Sequence, residues 1–267
     1  MDVKCESVKF SIITPTRNVG DCIKELVDSI QEQTFEDWEH IIVDSASTDG
    51  ALALIPRHDK VRVFSEPDKG IYDAMNKGVA LAQGEWLYFI GADDRFFDQH
   101  VLSNVNQFLD DSVDVVYGDV VSTRFGGRYD GPFDDRKIRS KNICHQAVFV
   151  RRQVFELIGG FNDQYLAQAD WDHNMRWMLN KSIRSKYIDL VIAEYSDGGY
   201  SSTNLDPVYQ SDHVFNYLRY GKDVLPAKVR IRALVREMLV SLKFFDLKRF
   251  FVCLAKIFQE FYKAVSS

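Results

Sequence analysis

Four short apolar runs in the first hundred residues each end in a polar cluster, and these clusters hold the side chains able to do chemistry. Phe10-Ser11-Ile12-Ile13-Thr14 runs into Pro15-Thr16-Arg17-Asn18, and Trp38 to Val43 ends at Asp44-Ser45-Ala46-Ser47-Thr48-Asp49-Gly50. Val61 to Phe64 leads to Glu66-Pro67-Asp68-Lys69-Gly70, and Trp86 to Ile90 to Gly91-Ala92-Asp93-Asp94. In open parallel sheets, ligands bind beyond the carboxyl ends of the strands. One such ending reads as an ordinary turn, but four in succession along one sheet edge describe a ligand crevice. Asp93-Asp94 offers hard oxygen ligands suited to Mg²⁺ or Mn²⁺ bridging a diphosphate; taken alone, the pair reads equally well as a turn cap. Neither GxxxxGK[ST] nor an early GxGxxG is present, which disfavours a P-loop kinase or an NAD dehydrogenase.

The elements that must position these clusters follow from periodicity. Asp21 opens a helix whose Ile23, Leu26, Val27 and Ile30 share one face, and further helices are expected from Ile71 to about Gln83 and from Val101 to Leu109. Val113 to Tyr117 reads as a fifth strand. Repeated β-α-β units imply a parallel sheet with helices on both faces. After Gly118 the rhythm changes: a strand pair is expected from Val120 to Tyr129, a strand over Ala147–Val150, and a helix from near Asp170 toward Lys181. From Asp206 onward the pattern is helical. The chain therefore divides into an α/β domain over residues 1–204 and a helical extension over residues 205–267.

With 46% hydrophobic and 27% charged residues among 267, the composition is globular and excludes a disordered or fibrous protein. No run approaches the roughly 18 apolar residues of a spanning helix, and Met1-Asp2-Val3-Lys4 lacks the apolar core of an export signal. Cys5, Cys22, Cys144 and Cys253 are scattered, which reads as reduced thiols in a cytoplasmic protein. The net charge of −6 conceals a split. From Leu225 onward there are nine Lys/Arg against three Asp/Glu, or +6, which leaves −12 on the first 224 residues. Such an acidic body argues against nucleic acid as a partner.

The clusters together resemble the family 2 glycosyltransferases of GT-A fold. The resemblance is carried by Ser11-Ile12-Ile13-Thr14-Pro15-Thr16-Arg17-Asn18, the Val43 to Gly50 loop, Ser65 to Gly78, and Gly91-Ala92-Asp93-Asp94. It continues through Cys144-His145-Gln146, Gly159-Gly160-Phe161 and Gln168-Ala169-Asp170-Trp171-Asp172, covering roughly residues 8 to 202 in order. It implies a Rossmann-like, mostly parallel sheet flanked by helices. Members closest in feel build bacterial surface polysaccharides.

By this resemblance, Thr14, Pro15, Thr16, Asn18 and Asp44 grip the nucleotide, Asp44 accepting from a uracil N–H; the alternative for Asp44 is a turn residue. Asp68 and Lys69 fall where the family contacts base or diphosphate. The acidic motif usually reads Asp-x-Asp-Asp; here Gly91 takes the first place, leaving Ala92 and Asp93 against the donor and Asp93, with Asp94 second, on the metal. Asp170 falls at the catalytic-base position, with Ala169 where a Glu is usual. Its structural alternative is a helix N-cap or first-turn acid, and Asp172 is the fallback base. His145, Gln146 and Trp171 are implied to meet the acceptor, although Trp171 and Trp177 lie six apart, so that at least one belongs to the core. The Ser196 to Ser201 stretch resembles a loop near the diphosphate.

The expected activity is inverting, Mn²⁺- or Mg²⁺-dependent transfer of a sugar, from a UDP-linked donor, to a glycan or lipid-linked acceptor. A nucleotidyltransferase would want a Gly-rich, basic triphosphate loop, which Thr14 to Gly20 does not supply. A nucleotide-sugar binder without turnover is made thinkable by Gly91 and Ala169, and opposed by intact Asp93 and Asp170. In the extension, Phe250, Leu254, Ile257, Phe258 and Phe261 recur at helical spacing among Lys and Arg. Such a helix suits an anionic membrane surface, placing the protein at the inner face of the cell membrane; packing on its own body or on a second subunit is the alternative.

Overall fold

The computed structural model describes residues 8–196 and 206–266. Its first half follows the expected β-α rhythm: β1 (Phe10–Thr16), α1 (Cys22–Gln31), β2 (Trp38–Asp44), β3 (Val61–Ser65), α2 (Ile71–Leu81) and β4 (Trp86–Phe89). A two-residue β5 (Arg95–Phe96) and α3 (Val101–Asn106) come next. The second half comprises β6 (Val115–Ser122), β7 (Gly127–Tyr129), α4 (Lys137–Ser140), β8 (Val148–Arg151), α5 (Arg152–Ile158), α6 (Ala169–Met178) and β9 (Ser185–Glu194). Helices α7 (Pro207–Tyr220), α8 (Ala227–Lys243) and α9 (Leu247–Ser266) close the chain.

One sheet runs β3-β2-β1-β4-β8-β6-β9-β5, with β7 paired to β6. The segment β3-β2-β1-β4 is parallel throughout. Beyond it, β8 lies antiparallel to both β4 and β6, while β6 and β9 are parallel, so the sheet as a whole is mixed. The runs expected as separate strands at Val113–Tyr117 and Val120 onward are one strand, β6, passing through Gly118. A Cβ there would come within 2.5 Å of the Leu190 carbonyl, so glycine is what lets β9 approach.

Alternation along β1 sorts the core onto two faces. Phe10 and Ile12 pack with Ile23, Leu26, Val27 and Ile30 of α1. Ile13 faces the other way, into a cluster with Tyr72 and Met75 of α2, Trp177 of α6 and Tyr209 and Tyr217 of α7. The extension therefore divides. Helix α7, capped by Asp206 with Pro207 in its first turn, is built into the body's core. Helices α8 and α9 instead form a hairpin around Leu234, Cys253 and Ile257. The expected boundary at 204/205 lies outside the described residues. Among the described residues, no helix is long and apolar enough to cross a membrane.

Candidate active site

Parallel register brings the first three strand ends into line. Thr16 lies opposite Asp44, and Asp44 opposite Ser65. Asp44 Oδ1 accepts from the Thr16 hydroxyl at 3.1 Å, and Oδ2 from the Ser47 N–H at 2.9 Å and the Ser65 hydroxyl at 2.6 Å. Burial works to raise its pKa, but the bonds from Ser47 and Ser65 outweigh it and hold the carboxyl below its ordinary value. Asp44 thus ties three strand ends together. The two loops beyond it are laced by Asn18, in left-handed backbone, whose N–H donates to Ser47 Oγ and whose Oδ1 accepts from the Thr48 N–H.

Thr14 and Pro15 are buried in the sheet. The Thr14 hydroxyl pairs at 2.9 Å with Nε2 of His40, whose pKa burial pushes down to about 3, leaving it neutral. Asp68 is half-buried and accepts from the Gly70 N–H. Lys69 is exposed, its ammonium 3.8 Å from Asp163.

At the end of β4, two adjacent aspartates have different surroundings. Asp94 turns inward, its oxygens accepting from Gln146 Nε2 at 2.7 Å and the Ser196 N–H at 2.9 Å. Burial, and then the charge of Asp93, raise its pKa above the ordinary value. The turn depends on Gly91, where an added Cβ would stand 2.6 Å from Asp94 Oδ2. Asp93 is exposed and accepts from the Ser196 hydroxyl at 2.8 Å, while Ala92 is buried beneath it. Ser196 is the one residue of the Ser196 to Ser201 stretch that is described; the rest lies outside the described residues.

Asp170 sits in the first turn of α6, behind Gln168 at the N-cap position. Gln168 holds φ = 71°, a left-handed conformation that costs a non-glycine residue of order 1 kcal/mol. Asp170 Oδ1 accepts from the Tyr72 hydroxyl at 3.0 Å, and Oδ2 from Asn142 Nδ2 at 2.8 Å. His145 Nδ1 stands 3.5 Å from Oδ2. Burial opposes ionisation, yet the pairing with His145 and the Tyr72 hydrogen bond prevail, so its pKa lies below the ordinary carboxylate value. Burial, reinforced by the Asp170 charge, pushes the Tyr72 phenol far upward, so it remains a donor. Asn142 is fixed in turn by Asn174.

Asp170 lines a cleft of about 270 Å³ together with Asn142, His145, Gln146, Gln168 and Trp171. Three buried polar atoms of these residues have no hydrogen-bond partner among the described residues: His145 Nε2, Gln146 Oε1 and Gln168 Oε1. Such atoms are costly unless something else satisfies them, and a hydroxyl-rich ligand in the cleft would do so. Consecutive residues His145 and Gln146 reach Asp170 and Asp94 respectively, joining the two acidic centres.

Trp171 donates its indole N–H to the Ile138 carbonyl at 2.6 Å and packs against His213, leaving part of its surface on the cleft. Trp177 is core, as the six-residue spacing required of one of the pair. Asp172 points away, accepting from Asn216 and Tyr220 of α7 and pairing with Arg176. Sequence reasoning missed Asn142 and Tyr72 as supports of Asp170. Tyr72 lay within the Ser65 to Gly78 segment, whereas nothing in sequence marks Asn142.

Among the described residues, no three His, Cys, Asp or Glu side chains converge as a metal-binding group. Mg²⁺ is commonly held by one or two carboxylates with substrate phosphates supplying further oxygens. Exposed Asp93 fits that arrangement, whereas Asp94 already accepts a donor on each oxygen.

A family model described as glycosyl transferase family 2 matches residues 11–171. A PGL/p-HBAD biosynthesis glycosyltransferase of Mycobacterium bovis is 41% identical over 206 residues, covering 74% of this chain and 80% of that protein. A putative teichuronic acid biosynthesis glycosyltransferase of Bacillus subtilis is 36% identical over 91 residues, covering 32% of this chain and 36% of its own. Among solved structures, S. aureus TarS 1-349 in complex with UDP-GlcNAc superposes with a TM-score of 0.72 at 20% identity, covering 94% of this chain and 81% of that one. The Pyrobaculum calidifontis mannosyltransferase PcManGT, in complex with GDP-Man and Mn²⁺, gives 0.59 at 17% identity, covering 95% and 84%. The strand-end clusters, the sheet that aligns them and these matches agree: the chain is a glycosyltransferase and belongs to glycosyl transferase family 2.

Proposed function

We propose that this enzyme transfers a sugar, with inversion, from a UDP-linked donor to a hydroxyl of a glycan or lipid-linked acceptor in cell-surface glycan synthesis. The observation that carries the reading is Asp170: an ionised carboxylate held by Tyr72 and Asn142 on the wall of a polar cleft. The acceptor hydroxyl gives its proton to Asp170 as its oxygen bonds to the anomeric carbon. The bond from that carbon to the phosphate oxygen breaks on the opposite face, and UDP leaves with the electron pair. His145, Gln146 and Trp171 orient the acceptor.

The strand-end loops bearing Asn18, Asp44, Asp68 and Lys69 form the donor side. Thr14, Pro15 and Thr16 contribute by fixing the sheet edge beneath those loops, since their side chains are buried. Asp93 would hold a divalent ion, which when bound offsets the charge on the departing diphosphate. The UDP-GlcNAc complex of TarS, the Mn²⁺ complex of PcManGT and the PGL/p-HBAD and teichuronic acid biosynthesis named for the two relatives support this reading. A lipid-linked acceptor also gives the basic hairpin a purpose, bringing the enzyme to the inner face of the cell membrane.

Incubation with a panel of UDP-sugars and Mn²⁺, scoring products, tests the proposal. UDP release is expected. Pyrophosphate release would indicate a nucleotidyltransferase, and binding without turnover a nucleotide-sugar-binding protein.

A further inference from the structure

The α8–α9 hairpin carries a face that the body leaves uncovered. In α9, Cys253 and Ile257 turn inward against α8. The apolar face expected from Phe250, Leu254, Ile257, Phe258 and Phe261 is thereby split between the hairpin's interior and its exterior. A second stripe remains outside. Leu247, Phe251, Phe258 and Tyr262 recur at offsets of 4, 7 and 4 residues, which at about 100° per residue places them on one line along the helix. Phe251, Phe258 and Tyr262 are 61%, 67% and 77% exposed. The stripe continues onto the hairpin turn, where Phe244 and Phe245 are 73% and 86% exposed and Phe245 adopts left-handed backbone at φ = 57°. A contiguous exposed apolar surface of this kind marks an interaction site.

The charges beside the stripe say what it meets. Each acid of the segment is engaged within the hairpin: Glu260 pairs with Arg230, Glu237 with Arg249, and Asp246 caps α9 by accepting from the Arg249 N–H. Lys243, Lys248, Lys256 and Lys263 form no ion pair among the described residues. Lys248 lies beside the aromatic stripe, whereas Lys256 and Lys263 lie further round the helix, along the exposed groove toward α7, where Lys256 Nζ stands 5.9 Å from the Phe215 ring. The hairpin is thus basic and apolar side by side, whereas the first 224 residues carry −12. An anionic surface attracts the hairpin and repels the body.

We propose that the outer face of α9 and the Phe244–Phe245 turn lie in the interface of an anionic lipid bilayer. The aromatic stripe enters the headgroup boundary, and the segment's lysines meet lipid phosphates. The proposal draws on the reading of a lipid-linked acceptor for its purpose only; its test requires no turnover.

Flotation of the full chain decides it. At low salt the protein is expected to float with phosphatidylcholine vesicles containing phosphatidylglycerol, and to stay at the bottom with phosphatidylcholine alone. The triple variant K248Q/K256Q/K263Q keeps the stripe and should lose binding by on the order of 10²-fold, from about 1 kcal/mol per basic residue near such a surface. Phe251→Ser with Phe258→Ser keeps the charge and should lose at least tenfold, from roughly 1.5 kcal/mol or more per buried Phe. All the substituted side chains are exposed, so an unchanged thermal melt is expected and separates loss of binding from loss of folding. Asp170→Asn should float like the wild type, so failure of the catalytic reading would leave this result standing. Failure of the intact protein to float would overturn the proposal, as would flotation indifferent to both sets of substitutions. A dimer in light scattering that the Phe substitutions dissociate, without flotation, would assign the face to a second copy of the chain instead.

Discussion

Asp170→Asn is expected to lower turnover by on the order of 10² to 10⁴-fold, the usual cost of losing a general base, while UDP affinity stays close to that of the wild type. The substitution preserves size and keeps Oδ1 available to the Tyr72 hydroxyl; what disappears is the negative charge facing the cleft, together with the acceptor that Oδ2 offers Asn142. The depressed pKa of Asp170 means that the wild-type group is already ionised at neutral pH and ready to take a proton. Single-turnover transfer with calorimetry of UDP binding separates the two quantities. Turnover within a few-fold of wild type would remove Asp170 from the mechanism. Asp172 could not inherit the role, because its oxygens are committed to Asn216, Tyr220 and Arg176 on the far side of α6.

Asp93→Ala is expected to erase the metal-dependent part of donor affinity, with a loss in turnover of roughly 10²-fold or more, as removal of several kcal/mol of charge stabilisation requires. Calorimetry of UDP with and without Mn²⁺ reads this directly. The wild type should bind more tightly with the ion, and the variant should not distinguish the two conditions. An unchanged Mn²⁺ response would show that Asp93 is no ligand. Because the Asp93 side chain is exposed, the substitution should leave thermal stability unchanged, in contrast to any change at buried Asp94.

Adjacent Asp93 and Asp94 illustrate what was legible in the sequence. That a carboxylate stands at the end of β4 follows from an apolar strand running into Asp-Asp. Which of the two stays exposed depends on the turn, and the turn depends on Gly91 leaving room for Asp94 to fold inward onto Gln146 and Ser196. The same limit applies to Thr14. Its place near the end of the first strand was readable, but its burial against His40 follows from the pairing of β1 with β2, a partner 26 residues away. The first four sheet strands were legible because each pairs with a neighbour in a repeating β-α unit. The β8-β6-β9 arrangement was not, since strands expected from local patterns meet there across long stretches of chain. Asn142 escaped notice for a similar reason. An Asn in a polar loop has no periodicity, and its relation to Asp170 exists only once α6 docks beside the cleft.

Transfer with inversion from a nucleotide sugar is read most plainly from the anomer first released. A thermal-shift screen selects the UDP-sugar bound best, and slow hydrolysis of that donor is followed by proton NMR before the free sugar mutarotates. With an α-linked donor, the β anomer is expected to appear first. Initial appearance of the α anomer would contradict it, because attack by an oxygen activated at Asp170 on the face opposite the leaving diphosphate cannot retain configuration.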